Sequence, residues 1–177
     1  MVVVADTGPL QYLFLIGQIE LLPLLYGDIV IPHGVSKELS HPNTPVAVRA
    51  WFGKRPIWLH VRSVTVSAEW PHLGLGEQEA ISLGVQLSAR LILMDDGAGR
   101  RVVGGLATPE LRVTGTIGVL YLAAIERRFP KSIDMASSFD DSIANLRGTN
   151  FFFNAELDAA IAALSARLHQ RETTFHT

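Results

Sequence analysis

Apolar residues fall in short runs separated by stretches of helical spacing, and that alternation sets the expected fold. Val2 to Ala5 is an unbroken apolar run rich in β-branched residues. It predicts a short strand buried on both faces. Ile29 to Ile31, Leu91 to Met94 and Leu111 to Val113 predict further short strands, and Trp58 to Val66 alternates as a strand does. Between them, apolar residues recur at helical spacing from Leu10 to Gly17 and from Ile19 to Tyr26, with Gly17 as the break. In PHGVSKELS, Val35 and Leu39 lie four apart on one helical face, with Glu38 beside it. Val46 to Phe52 predicts a short helix, and Ala80, Ile81, Gly84 and Leu87 mark another. Gly97 to Arg101 opens a helix or turn. Ile117 to Arg127 and Ser132 to Leu146 are helical, and Gly148-Thr149-Asn150 ends the second of them. Asn154 is the expected N-cap of a last helix from Ala155 to about Leu168, and the polar tail RETTFHT is expected to fray.

Strands alternating with helices predict an α/β fold, three layers α/β/α, with a mainly parallel central sheet. The expected organisation is a domain over residues 1–130 and a C-terminal helical extension, 131–177, packed on it. Composition supports a large core: of 177 residues, 48% are hydrophobic and 18% charged, which excludes a disordered chain. A net charge of −2 excludes a dedicated basic coat for nucleic acid, although local patches outweigh totals. With no cysteine, disulfides, thiolate zinc sites and cysteine nucleophiles are excluded. No basic segment precedes the first apolar run, so no secretory signal is expected, and the expected location is cytoplasmic. Gln11, Gln18, Glu20, Pro23 and Asp28 interrupt the Leu-rich region from Leu10 to Ile31, so no membrane span is expected there.

Acids stand where these strands end. VVVAD puts Asp6 at the end of the first strand, and LILMDD puts Asp95 and Asp96 at the end of another. In an open parallel sheet, ligands bind at the carboxyl ends of the strands. Glu38 follows the second strand on its helix, and Glu77 and Glu79 open the helix that feeds LILMDD. Carboxylates brought together there raise one another's pKa, and a divalent cation removes the conflict. Magnesium and manganese prefer oxygen ligands, which makes Mg2+ or Mn2+ the expected cofactor.

At this point the chain resembles a known family. VVVADTGPL, IPHGVSKEL, LGLGEQEAISLG, LILMDDGAGRR and VTGTIGVLYLA, in that order, are similar to the PIN-like domains, in a bacterial and archaeal group related to VapC-type toxins. KSIDMASSFDDSIANL and FFFNAELDAAIAAL resemble that group's two-helix end. The resemblance implies a metal-dependent endoribonuclease, the toxin of a toxin–antitoxin pair, with RNA as substrate, an antitoxin protein as partner and a homodimer as assembly. By position it implies Asp6, Glu38, Glu77 and Asp95 as catalytic acids and metal ligands, with Asp96 as a further ligand. Glu77 is preferred to Glu79 because Ala80 and Ile81 follow it at the family's spacing. Thr7 and Thr116 would hold a ligand water or a carboxylate, and Arg100 and Arg101 would meet the RNA backbone. The toxins often carry Asp at the third position and T-x-D at the fourth, where this chain has Glu77 and M-D-D.

Each feature also has an ordinary structural use. Asp6 suits an N-cap, Glu38 a solvated face, and Glu77 and Glu79 the positive end of their helix. Asp95-Asp96 before glycine suits a turn. Phe151, Phe152 and Phe153 suit a hydrophobic plug or a dimer contact, and also base stacking. The alternative function is a non-catalytic PIN-like module that binds a cation or a protein partner. GLGEQE lacks the third glycine of a dinucleotide loop, and H-E-x-x-H and G-x-S-x-G motifs are absent.

Overall fold

A computed structural model describes residues 1–66, 70–129 and 134–175. In chain order its elements are β1 Val3–Ala5, α1 Thr7–Leu15, α2 Leu21–Tyr26, β2 Ile29–Pro32, α3 His33–Leu39, α4 Val46–Gly53 and β3 Leu59–Arg62. α5 Leu75–Gln86, β4 Leu91–Leu93, α6 Gly97–Gly105, β5 Arg112–Thr114, α7 Thr116–Ile125, α8 Met135–Arg147 and α9 Ala155–Phe175 complete them.

The five strands form one sheet in the order β3-β2-β1-β4-β5, and every pairing is parallel. Successive residues of a strand point to opposite faces. Val3, Ala5 and Leu93 therefore enter a large core shared with α1, α2, α7, α8 and α9. Val4, Ile92 and Met94 enter a smaller core under α5 and α6. β1, β2 and β4 lack polar alternation because both of their faces are covered, whereas the edge strand β3 alternates, with His60 and Arg62 exposed. The result is the expected three-layer α/β/α arrangement.

The strand order creates a crossover with consequences for function. The chain runs outward from β1 to β2 and β3, then returns to the other side of β1 as β4. β1 and β4 are neighbours whose connections leave in opposite directions, which opens a crevice at their carboxyl ends. Their register pairs Ala5 with Leu93, and the Asp6 amide donates to the Leu93 carbonyl at 2.9 Å. Asp6 and Asp95 are the acids that follow those two strands.

Several local expectations change. The first helix begins at Thr7, since Pro9 in its first turn lacks only an N–H that has no helical partner there. Gly17, at φ +72°, separates α1 from α2 as expected. β3 is confined to Leu59–Arg62, because among the described residues it is an edge strand paired with β2 alone, which offers four residues. Helix α8 begins at Met135. Ser132 and Ile133, and the expected boundary at 130/131, lie outside the described residues. Asn154 does cap α9, accepting from the Leu157 amide at 2.8 Å. The helix continues through RETTF instead of fraying. His169 bonds Asp140 at 2.9 Å, and the Glu172 carboxylate accepts from the Met135 amide at 2.7 Å, so α8 holds the last turns. No helix among the described residues is long and apolar enough to cross a membrane.

Candidate functional site

Asp6 is the only one of the proposed acids that is fully buried, with 6% of its surface exposed. It stands at the N-cap of α1, yet its side chain makes no capping bond to the first turn. It takes a bond from the neighbouring Thr7 amide, while its Oδ1 has no hydrogen-bond partner. Burial pushes its pKa up to about 7, only partly offset by that amide, and the charges of Glu38, Glu77 and Asp95 push the same way. Acids separated by up to 89 positions thus act on one carboxylate. The N-cap use leaves Asp6's buried oxygen unexplained.

The other acids are held individually. Asp95 accepts from the Thr116 amide at 2.7 Å and from the Thr116 hydroxyl at 2.6 Å. Burial raises its pKa against those bonds and against the nearby Arg100. Glu38 is exposed and accepts from the Thr7 hydroxyl. Both threonines therefore hold carboxylates, one from each side of the crevice. Glu77 closes a capping box on its own helix, taking the Gly74 amide at 2.7 Å. Burial raises its pKa, and the charges of Asp96 and Glu38 add to that rise. Asp96 is the N-cap of α6, with Oδ1 on the Gly99 amide at 2.7 Å. Arg100 and Arg101 are exposed on α6, with Arg100 close enough to lower the pKa of Asp95. Glu79 has a different partner from the one expected. It accepts from the Gly34 amide at 2.6 Å, so it braces α3, which carries Glu38, rather than the end of its own helix.

Two glycines that sequence reasoning passed over shape this crevice. A Cβ at Gly76 would collide with the Glu38 carboxylate, and one at Gly115 would collide with Oδ1 of Asp95. Neither backbone needs a positive φ. What glycine supplies at both positions is space for an acid. The pattern G-E and T-G-T beside the acids was the available signal.

Among the described residues, no three His, Asp or Glu side chains form a ready-made metal cage. The reason lies in the bonds above: Glu77, Asp95 and Asp96 are each turned toward a local donor. The donor set is nevertheless all oxygen and anionic, and it includes an orphaned buried oxygen. That chemistry fits a hard divalent cation that keeps several of its own waters. Cavities of about 470 and 300 Å3 lie elsewhere, between α7 and the end of α9, and none of the proposed acids lines them.

The chain matches the family model described as the PIN domain over residues 2–165. It belongs to the PIN domain family. The match includes every proposed acid, α8 and half of α9. PIN domains are nuclease-type hydrolases and usually use divalent metal ions. No curated protein matches the chain.

Proposed function

We propose that this PIN domain is a Mg2+- or Mn2+-dependent endoribonuclease that hydrolyses RNA phosphodiester bonds with water. The observation that carries this reading is the buried Asp6 carboxylate, one oxygen unpartnered, in the field of Glu38, Glu77 and Asp95. Asp6, Glu38, Glu77 and Asp95 hold the ion, and Asp96 supports them. A divalent ion bound there supplies positive charge for the scissile phosphate and acidifies the attacking water. Thr116 and Thr7 orient Asp95 and Glu38, so two of the acids are set before substrate arrives. Arg100, beside Asp95, and Arg101 face the RNA backbone, where guanidinium groups pair with phosphate. The resemblance of its sequence motifs to VapC-type toxins extends the proposal to a cytoplasmic toxin, a homodimer, held in check by an antitoxin protein.

A second reading has its own support. Glu77 and Asp96 both perform helix-capping work, which a non-catalytic module that binds a cation or a protein would equally retain. One pair of experiments separates the two. Purified protein is incubated with RNA with and without Mg2+, and Mn2+ binding is titrated calorimetrically before and after Asp95→Asn. Ion-dependent cleavage supports the ribonuclease. Mn2+ binding lost in the variant, with RNA left intact by the unmodified protein, supports the cation-binding module.

A further inference from the structure

The cavities between α7 and the end of α9 are built from residues that the acid crevice does not use. On α9, Leu157, Ile161, Leu164 and Leu168 form the apolar stripe that packs on the large core. Beside it runs a second stripe at helical spacing: Arg167, Gln170, Arg171 and Thr174. That polar stripe and Tyr121 of α7 line the larger cavity, of about 470 Å3. Among the described residues, no carboxylate lines it. An edge contact to Phe139, with ring centroids 6.1 Å apart, fixes Tyr121 in place.

The two arginines have no ordinary structural use. Arg147 bonds Asp158 and Arg128 pairs with Glu126, but among the described residues the Arg167 and Arg171 side chains meet no acid and no hydrogen-bond partner. The end of a helix attracts cations within its last turn, and the last turn of α9 holds none. Like charges one helical turn apart on the same cavity wall repel. An anion between them removes that cost, and the guanidinium fork matches phosphate oxygens in pairs.

Arg171 also lines the second cavity, of about 300 Å3, so the two adjoin. Ala124, Ile125, Met135 and Leu168 give this chamber apolar walls. Arg127 lines it too, and it ends α7 at φ +54°, a conformation that favours glycine. An arginine there strains the backbone, and it brings a third guanidinium to the wall. Among the described residues, Glu172 is the one acid in either lining, and its carboxylate already accepts from the Met135 and Ala136 amides.

We propose that the joined cavities are a nucleotide site, with the phosphates of a nucleoside diphosphate between Arg167 and Arg171 and the base in the apolar chamber. The site is separate from the acids and does not depend on the hydrolytic reading. Small-molecule sites combine apolar walls with a few polar groups that fix orientation. Gln170 and Tyr121 supply neutral hydrogen-bonding groups for the sugar. A polynucleotide needs cations strung along a groove to follow its backbone. Here they converge on one cavity that none of the proposed acids lines.

The test is calorimetric titration of the full chain in EDTA with ADP, pyrophosphate and adenosine. ADP is expected to bind, pyrophosphate about tenfold more weakly, and adenosine more weakly still. Arg167→Gln and Arg171→Gln, both at exposed positions, should each weaken ADP by about tenfold at unchanged Tm. Ile125→Ser should weaken ADP and leave pyrophosphate unchanged. ADP that does not bind, or that binds both arginine variants as tightly as the unmodified protein, overturns the site. Equal affinity for ADP and pyrophosphate overturns the assignment to a nucleotide, because the base then contributes nothing. A single-stranded hexaribonucleotide that displaces ADP, and weakens as much in Arg171→Gln, also overturns it and assigns the stripe to an RNA backbone.

Discussion

Asp6 and Asp134 occupy the same local position, the residue before a helix, and the fold treats them in opposite ways. Asp134 caps α8: its carboxylate accepts from the Ala136 and Ser137 amides and the Ser137 hydroxyl. Bonds to Glu172 and Ser137 pull its pKa down to about 2. Asp6 takes only the adjacent Thr7 amide and makes no capping bond, is buried beside other acids, and has its pKa pushed up to about 7. One carboxylate is stabilised as an anion by its surroundings, and the other is destabilised as one. An acid buried with one oxygen unpartnered costs free energy in the folded chain, and the proposed cation would remove that cost.

The comparison breaks most sharply at Asp6. Asp6→Asn should reduce Mg2+-dependent RNA cleavage by about 10³-fold, a loss of several kcal/mol, measured by initial rates on a labelled RNA. The same variant should be more stable without metal. Asp6 moves from 3.8 to about 7 on folding, so between those values the native state holds a proton that the unfolded state has released. Stability from this group is therefore greatest at low pH and is lost as pH rises toward 7. In EDTA at pH 8, Asp6→Asn should raise the Tm, the gain being at most about 4 kcal/mol, and the gain should vanish near pH 4. Mn2+ should raise the Tm of the unmodified protein and leave the variant's unchanged. A variant less stable than the parent at pH 8 would mean that Asp6 is an ordinary structural acid.

A smaller loss is expected from crowding the site without touching its acids. Gly115→Ala places a methyl group on Oδ1 of Asp95 and should cost about 10²-fold in cleavage rate. Wild-type rates in that variant would show that Asp95 need not hold its position.

Asp134 supplies the opposite sign. Asp134→Ala removes a cap and should cost about 1 kcal/mol in urea denaturation at pH 7, with cleavage unaffected. Because its folded pKa is depressed, that contribution is present above its ordinary value of 3.8 and is lost as pH falls toward 2. The difference between variant and parent should therefore shrink at pH 2.5. The smallest effect belongs to His169, whose pKa is raised by its bond to Asp140. The pair is exposed, so His169→Gln should cost a few tenths of a kcal/mol. That stability is fully present below 6.5 and is lost as pH rises through the folded pKa, so melts at pH 5.5 should separate the two proteins and melts at pH 9 should not.

The amino-acid sequence by itself determined the strands, the helices and the Asn154 cap. Each depends on a local property: an apolar run of a given length, a period, or a side chain able to bond its own helix. It also determined that acids end β1 and follow β4, since an apolar run that stops on aspartate is readable without partners. Composition excluded thiol chemistry. Tertiary structure alone decided which acids meet. The field on Asp6 comes from Glu38, Glu77 and Asp95 because the strand order folds β4 back beside β1, and nothing in the spacing of those residues encodes that return. The same holds for Glu79, whose partner Gly34 lies 45 positions away, and for the last turns of α9, held by α8 rather than by helix propensity. Asp6 and Asp134 look alike in the sequence because their difference, burial with one oxygen left unpartnered, is a property of the space around them.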